Sequence, residues 1–304
     1  MELVRKIDIH VHVKAVPGPH RLIGSRWPTP DELRAIYDRA GIDWGLQLSR
    51  QTPECMHDPI GSQDSLAVHA AHPGTLGHWF CDCDPRMGSN SADSDLGYYI
   101  DYWTERGASG VGELQSTIPI LDPRVLNLFS ALEKRRLPVT IHLGVPIGTY
   151  GLVDTLGLPG LEYLLQNFPH VTILGHSQRF WAEISGDLTE EQRGGYPSGP
   201  VAPGGRIPAL LRKYPNLCGD LSAGSGANAI MRDPDFGYAF LDEFADRLFY
   251  GTDICAPDNT SMLKLIGFLD DAVQGGHITE AAYRRISREN ALRLLNDPTR
   301  FLEG

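Results

Sequence analysis

The sequence predicts an α/β protein folded as a single (β/α)8, or TIM, barrel, and three observations predict it. Eight short apolar runs recur along the 304 residues, and amphipathic segments with helix-end signals separate them. Successive run ends fall roughly 30 to 45 residues apart, about one βα unit each. No G-x-G-x-x-G follows the first run, so the main cue for an open dinucleotide-binding sheet is missing. No composition shift marks a second domain, and one barrel is expected over 1–304.

In chain order the predicted strands are KIDIHVHV (6–13), WGLQLS (44–49), HWFCDCD (78–84), SGVGEL (109–114), PVTIHLG (138–144), HVTILGHS (170–177), LCGDLSA (217–223) and LFYGTDI (248–254). Between the first two, TPDELRAIYDRAG has Pro and acids in its first turn and Gly at its end, the punctuation of a helix. PRVLNLFSALEKRR puts apolar residues at helical spacing before a basic last turn. TSMLKLIGFLDDAV and TEAAYRRISRENALRLL then supply closing helices.

Composition narrows the function. No run approaches the roughly 18 apolar residues of a membrane span, and MELVRKIDIHVHV moves straight into a strand without a signal-peptide core. A net charge of −11 argues against nucleic-acid or anionic-membrane surfaces, which need basic patches. Five cysteines, Cys55, Cys81, Cys83, Cys218 and Cys255, are an odd set without framework spacing. They suit reduced thiols, and CDCD reads as strand packing because no second pair completes a zinc site. The expectation is a cytoplasmic protein with a small-molecule substrate, no nucleic-acid or membrane partner, and a homo-oligomer allowed.

Catalytic groups in such barrels stand at the C-terminal mouths of the strands. There the sequence offers His10 and His12 on the first strand, Glu113 on the fourth, His142 on the fifth, His176 on the sixth and Asp253 on the eighth. Alternation in an extended strand turns His10 and His12 to one face. Imidazole nitrogen and carboxylate oxygen together suit a borderline divalent ion such as zinc. On the same alternation Glu113 shares a face with Val111, and Gly110 and Gly112 leave room around it.

H-x-H on strand one, His on strands five and six, and Asp on strand eight resemble the amidohydrolase superfamily of metal-dependent barrel hydrolases. The closing ISRENALRLL resembles the end of its amidohydrolase-related branch, which also includes non-oxidative decarboxylases. The resemblance implies His10, His12, His142 and Asp253 as metal ligands, with His176 beside the metal as a further ligand or a catalytic group. It implies a divalent ion, zinc expected and manganese the alternative, that activates a water, with Asp253 moving the proton. Glu113 stands where two-ion members carry a bridging residue; it reads equally as a partner of a ligand. One ion is favoured and two are allowed.

The longest connection, SQRFWAEISGDLTEEQRGGYPSGPVAPGGR, follows strand six. A loop of this length is more often functional than idle. Its Arg179 and Trp181, with Arg50 after strand two, are the candidate substrate contacts, suited to a small anionic or polyhydroxylated molecule. The expected activity is hydrolysis of a lactone, amide or ester; the alternative is non-oxidative decarboxylation of a small carboxylic acid.

Overall fold

A computed structural model describes residues 2–21 and 24–296. Nine strands and twelve α-helices alternate along them: β1 (Lys6–Val11), α1 (Pro30–Ala40), β2 (Ile42–Leu48), α2 (Ser62–Ala71), β3 (Leu76–Phe80), α3 (Leu96–Thr104), β4 (Val111–Leu114), α4 (Pro123–Arg135), β5 (Val139–Gly144), β6 (Leu152–Val153), α5 (Pro159–Asn167), β7 (Ile173–His176), α6 (Gln178–Trp181), α7 (Arg206–Lys213), β8 (Leu217–Asp220), α8 (Ala223–Met231), α9 (Pro234–Glu243), β9 (Leu248–Phe249), α10 (Lys264–Gln274), α11 (Glu280–Arg284) and α12 (Asn290–Asn296). Eight of the strands answer the eight apolar runs. The ninth, β6, is a two-residue strand beside β5 that no apolar run announced.

All strand pairs are parallel, in the orders β1-β2-β3 and β4-β5-β7-β8-β9. The two regular sheets meet at two seams. Isolated parallel bridges span them, Cys81 to Val111 at one and Val11 to Ile254 at the other. At the second seam Ile9 N–H donates to the Tyr250 carbonyl at 3.0 Å and Asp253 N–H to the His10 carbonyl at 2.8 Å. This is the predicted (β/α)8 architecture, with ladders that lapse at the seams.

The helices begin where their punctuation says. At α1 the Thr29 side chain accepts from Glu32 N–H while the Glu32 carboxylate accepts from Thr29 N–H, a reciprocal cap. Gly41, left-handed at φ 72°, ends the helix. One apolar cluster comes from the strands and α12: Ile7, Ile9, Leu46, Leu48, Phe80, Leu174, Cys218 and Phe249 meet Ala291, Leu294 and Leu295. A larger cluster, including Leu33, Leu128, Leu164, Leu210 and Leu269, packs the helices on the outside of the sheet. Within the ISREN segment, Asn290 Nδ2 donates to the carbonyls of Ala245 and Leu248, fixing the entry to β9. A π-helical turn, Arg285–Glu289, precedes it.

Asp8 ties β1 to two other elements. Its carboxylate accepts from the Tyr37 hydroxyl at 2.6 Å, the Thr252 hydroxyl at 2.5 Å and the Thr252 N–H at 2.8 Å. Lys6, also buried, pairs with Asp270 at 2.5 Å. The cysteines of CDCD lie in the core, free, as strand-packing residues. Among the described residues no helix is long and apolar enough to cross a membrane.

Asp82, between those cysteines, is buried, and its carboxylate accepts one long hydrogen bond, from Gln51 N–H at 3.3 Å. Burial, and then the neighbouring Asp84, push its carboxyl up to about 8 from 3.8. A raised carboxyl contributes stability that is full below about pH 4 and is lost as pH rises through about 8. Asp82→Asn, which keeps the acceptor oxygen, should therefore leave the unfolding midpoint nearly unchanged below about pH 4 and raise it progressively above that, most at pH 9, in a thermal melt; an equal shift at pH 3.5 and pH 9 would show that charge is not the cause.

Candidate metal centre

The mouths of β1, β4, β5, β7 and β9 bring His10, His12, Glu113, His142, His176 and Asp253 into one cluster. Backbone conformation serves this convergence. Ser177 after β7 (φ 106°), Ala223 after β8 (φ 61°) and Asp253 after β9 (φ 54°) all take positive φ, which costs a non-glycine residue of order 1–3 kcal/mol. Each is held by hydrogen bonds: Ser177 Oγ accepts from Leu143 N–H, Ala223 N–H donates to the Thr252 carbonyl, and Asp253 N–H to that of His10. Glycine is required at two nearby points. A Cβ on Gly175 would overlap the Phe180 ring, and one on Gly112 (φ 138°) would stand 2.9 Å from the Thr140 carbonyl. The β4–β5 register breaks between Val111 and Leu114, so simple alternation does not place Glu113; its N–H donates across the ring to the Ser49 carbonyl at 2.6 Å.

His10 at the end of β1 and His12 just after it have their tautomers assigned from behind. His10 Nδ1 lies 2.6 Å from Asp220 Oδ2, and His12 Nδ1 lies 3.0 Å from the Leu48 carbonyl. Both acceptors demand a proton on Nδ1, which leaves a lone pair on each Nε2. Those two Nε2 atoms face each other at 3.1 Å. Glu113 Oε2 stands 3.6 Å from His10 Nε2 and 3.2 Å from His12 Nε2, and Asp253 Oδ1 stands 3.6 Å from both.

His10, His12 and Asp253 form one group of converging ligand atoms, 3.1 to 3.6 Å apart, and Glu113 Oε2 stands 3.2 to 3.6 Å from its two histidine nitrogens. Donors about 2.0–2.2 Å from a tetrahedral ion are separated by about 3.3–3.6 Å, so the set fits a zinc-like ion. Glu113 faces two ways. Its Oε1 lies 2.6 Å from His142 Nδ1 and 3.9 Å from His176 Nε2, and those two histidines with Glu113 form a second group of converging ligand atoms.

Electrostatics bear the same mark. Burial pushes the His10 imidazole down, but Asp220, Asp253 and Glu113 outweigh it and hold its pKa well above the usual value. His12 and His142 are lowered by burial, against the pull of Glu113. Burial raises the Glu113 carboxyl, yet His10 and His142 carry it well below the ordinary range. A site that captures a proton on His10 by charge captures a cation by the same means. Only two of the cluster's side chains open to solvent, Asp253 (22% exposed) and His142 (12%).

Sequence reasoning missed three supporting residues. Asp220 orients His10 and also lies 3.4 Å from His176 Nδ1. Ser222 Oγ is 3.0 Å from His176 Nδ1. Gln115 donates to Glu113 Oε2 and accepts from Arg50 Nε at 2.8 Å. Asp220 carries the same signal as Asp253, a carboxylate at the end of an apolar run; Ser222 and Gln115 carry none.

Of the three expected substrate contacts, one borders the cluster. Arg50 is buried beside Gln115, against the rings of Trp27 and Tyr150. Trp181 is core instead: its indole N–H donates to the Asp220 carbonyl at 2.8 Å and its ring meets Phe180 and Phe240. Arg179 pairs with Glu190 of the long connection at 2.6 Å, securing that loop to α6. Loop length singles out both residues, but their partners are structural.

A family model for amidohydrolases matches residues 66–296. No curated protein matches the sequence significantly. Among solved structures the chain is similar to an uncharacterized TIM-barrel protein from Bordetella bronchiseptica, with 17% identity, 96% of this chain and 99% of that one covered, and a TM-score of 0.62. It is similar to 5-carboxyvanillate decarboxylase from Sphingomonas paucimobilis at 16% identity, with coverages of 96% and 99% and a TM-score of 0.62. A Burkholderia multivorans amidohydrolase with bound zinc gives 14% identity, the same coverages of 96% and 99%, and a TM-score of 0.59. At these identities the likeness is one of fold.

Asp220→Asn tests the orientation of His10, because an amide of the same shape holds Nδ1–H less firmly. Affinity for a divalent cation, measured by chelator competition and elemental analysis, should fall about 10- to 100-fold with the fold retained. Wild-type affinity would mean that His10 needs no carboxylate behind it.

Proposed function

The chain belongs to the amidohydrolase family, and from that premise we propose that it is a metal-dependent enzyme of the cytoplasm that hydrolyses a small-molecule lactone, amide or ester. The observation that carries the reading is the convergence of His10 Nε2, His12 Nε2, Glu113 Oε2 and Asp253 Oδ1, where a cation would take the place of the proton that the surrounding carboxylates favour on His10. These residues would hold the first divalent cation, zinc or manganese. Glu113 Oε1 with His142 and His176 would support a second, held more weakly because only three residues converge there. The family pattern that makes His142 a direct ligand is kept for that second group.

When bound, such a cation polarises a substrate oxygen and lowers the pKa of a coordinated water towards about 7. The remaining work falls to side chains. Asp253 is the most open carboxylate of the cluster, with Oδ1 turned to the β1 histidines and Oδ2 lying 3.8 Å from His176 Nε2. From that position it takes a proton from water on the solvent side and returns it to the leaving group. With one cation bound, His176, its Nδ1 beside the Ser222 hydroxyl, would present Nε2–H to the substrate oxygen that gains charge; with two, that nitrogen would be a ligand instead. Arg50 is the contact for an anionic part of the substrate.

Non-oxidative decarboxylation of a small carboxylic acid is the second reading, favoured by the buried Arg50, whose partners are an amide oxygen and a thiol. Incubating metal-loaded protein with a lactone and ester panel and with hydroxybenzoate-type acids separates the two. Acid release supports hydrolysis; carbon dioxide release supports the alternative.

Two variants test the assignments. Asp253→Asn keeps one coordinating oxygen but loses the base, so kcat should fall at least about 10²-fold with metal retained; near-wild-type turnover would move the proton-transfer role to His176. Metal titration with elemental analysis tests Glu113: one ion should bind firmly and a second at higher concentration, and Glu113→Gln should abolish the second. Two equally tight ions in that variant would remove Glu113 from the bridging position.

A further inference from the structure

Arginines around the long connection find carboxylates: Arg179 pairs with Glu190, Arg193 with Glu183 at 2.8 Å, and Arg206 with Glu162. The buried arginines beside the metal cluster, Arg21 and Arg50, rest on the Trp27 ring, and Arg21 donates to the Cys255 carbonyl. Arg232, the residue after α8, has neither kind of partner. It is half-buried, its Nη2 is buried without a hydrogen bond, and no carboxylate among the described residues lies within ion-pair distance of it. Asp187 and Asp233 act on it from farther away and are themselves engaged, Asp187 by the Ser185 hydroxyl at 2.6 Å and Asp233 by the N–H groups of Val201 and Phe236. The last carbonyls of a helix attract a cation, yet the Arg232 side chain donates to none of them.

Arg232 borders a groove of about 490 Å³ between α8 and the start of α10, a volume within the range of small-molecule sites. Tyr196, Asn228, Met231, Ser261 and Lys264 line it as well, and no acidic residue does among the described residues. Lys264 is exposed and makes no ion pair either, so two cations without counter-charges share one groove. A smaller cavity, which shares Tyr196, Asn228 and Arg232 with the groove, receives the side chain of Ser225, 4% exposed and with its hydroxyl unpartnered. An arginine does not shed its proton, and buried donors without an acceptor are costly. The walls are fixed in advance. Asn228 Nδ2 donates to the Pro197 carbonyl at 3.0 Å and Gln178 Nε2 to the Tyr196 hydroxyl at 3.1 Å. Gly224 gives the Tyr196 ring its place, since a Cβ there would stand 3.2 Å from it, and the ring remains 53% exposed. The metal centre lies elsewhere: Ser222 Oγ meets His176, and Arg232 stands ten residues on, about 15 Å away at 1.5 Å per helical residue.

We propose that this groove is a second ligand site, separate from the metal centre, and that it takes a small phosphate monoester with a planar body. Arg232 and Lys264 together match the charge of a phosphoryl dianion, the first as a planar fork of donors and the second as a point charge. The Ser261 hydroxyl offers a donor to a third oxygen, one more than a carboxylate has. Tyr196 supplies a ring face for the planar body, and Met231 an apolar contact beside it. The site is independent of the reaction proposed for the metal cluster and stands or falls without it.

Calorimetric titration of metal-loaded protein, its metal content measured beforehand, tests the site with phenyl phosphate, inorganic phosphate, benzoate and phenol at one ionic strength. Phenyl phosphate should bind most tightly, about three- to tenfold ahead of inorganic phosphate for the added ring contact, and phenol least. Arg232→Gln should weaken phenyl phosphate about 10- to 100-fold, the range for loss of a hydrogen bond between charged groups. Lys264→Gln, at an exposed charge, should weaken it about three- to fivefold. Metal content should not change in either variant. Arg232→Lys should recover part of the loss and controls for folding, while Tyr196→Ala should bring phenyl phosphate down to the affinity of inorganic phosphate. Failure of phenyl phosphate to bind, or binding undiminished in both glutamine variants, would overturn the site; the second result would place the dianion on the metal. Benzoate binding more tightly than phenyl phosphate would overturn the phosphate assignment, and equal affinity of phenyl phosphate and inorganic phosphate would overturn the planar body.

Discussion

Four electron-pair donors face one another inside this barrel, and much of the surrounding structure holds them there. His10 Nε2, His12 Nε2, Glu113 Oε2 and Asp253 Oδ1 would turn apart if they were free to do so. They are not free: Asp220 stands behind His10, the Leu48 carbonyl behind His12, Gln115 behind Glu113, and the Asp253 backbone is bonded to that of His10. The repulsion between them is relieved in part by a proton favoured on His10 and would be relieved more fully by a cation. Fixing the donors in advance in this way is what makes a metal site strong and selective.

The fold supplies that fixation from several distances. The Asp8 carboxylate joins β1 to Tyr37 of α1 and to Thr252 just before Asp253, so two strand mouths that contribute donors are registered against each other. Asn290, in the segment that follows the last α/β unit, fixes the backbone that enters β9. The long connection after β7 is secured by Arg193, which pairs with Glu183 and donates to the Asp154 carbonyl at 2.7 Å. Its hold on the barrel is a buried ion pair, a costly arrangement unless both charges are well matched.

Charge is distributed unevenly over the molecule. The chain carries −11 overall, yet the wall of the metal cluster holds Arg21 and Arg50 without carboxylate partners among the described residues. The buried pair concentrates positive potential where dielectric screening is weakest. The two proposed reactions would differ in where Asp253 delivers its proton, to a leaving oxygen or nitrogen in hydrolysis and to carbon in decarboxylation.

The barrel and the core of its metal cluster are legible in the sequence because they rest on local signals. Strand and helix periodicity are set by nearest neighbours in the chain, and a polar residue ending an apolar run is visible wherever it occurs: His10, His12, Glu113, His142, His176 and Asp253 all are. Asp220 is equally visible in LCGDLSA, but nothing local to that run says that it faces His10. Other features have no local sign. Glu113 reaches its place through a break in the β4 register, β6 exists only because β5 offers it an edge, and Trp181 and Arg179 are drawn away from the mouth by Asp220 and Glu190. Arg21 is an ordinary loop arginine until Trp27 and Cys255 meet it. What the sequence by itself determined was which residues could carry chemistry at the strand ends; which of them share a cation, and which buried charges lack a partner, only the tertiary structure decided, because pairing depends on distances between residues far apart in the chain.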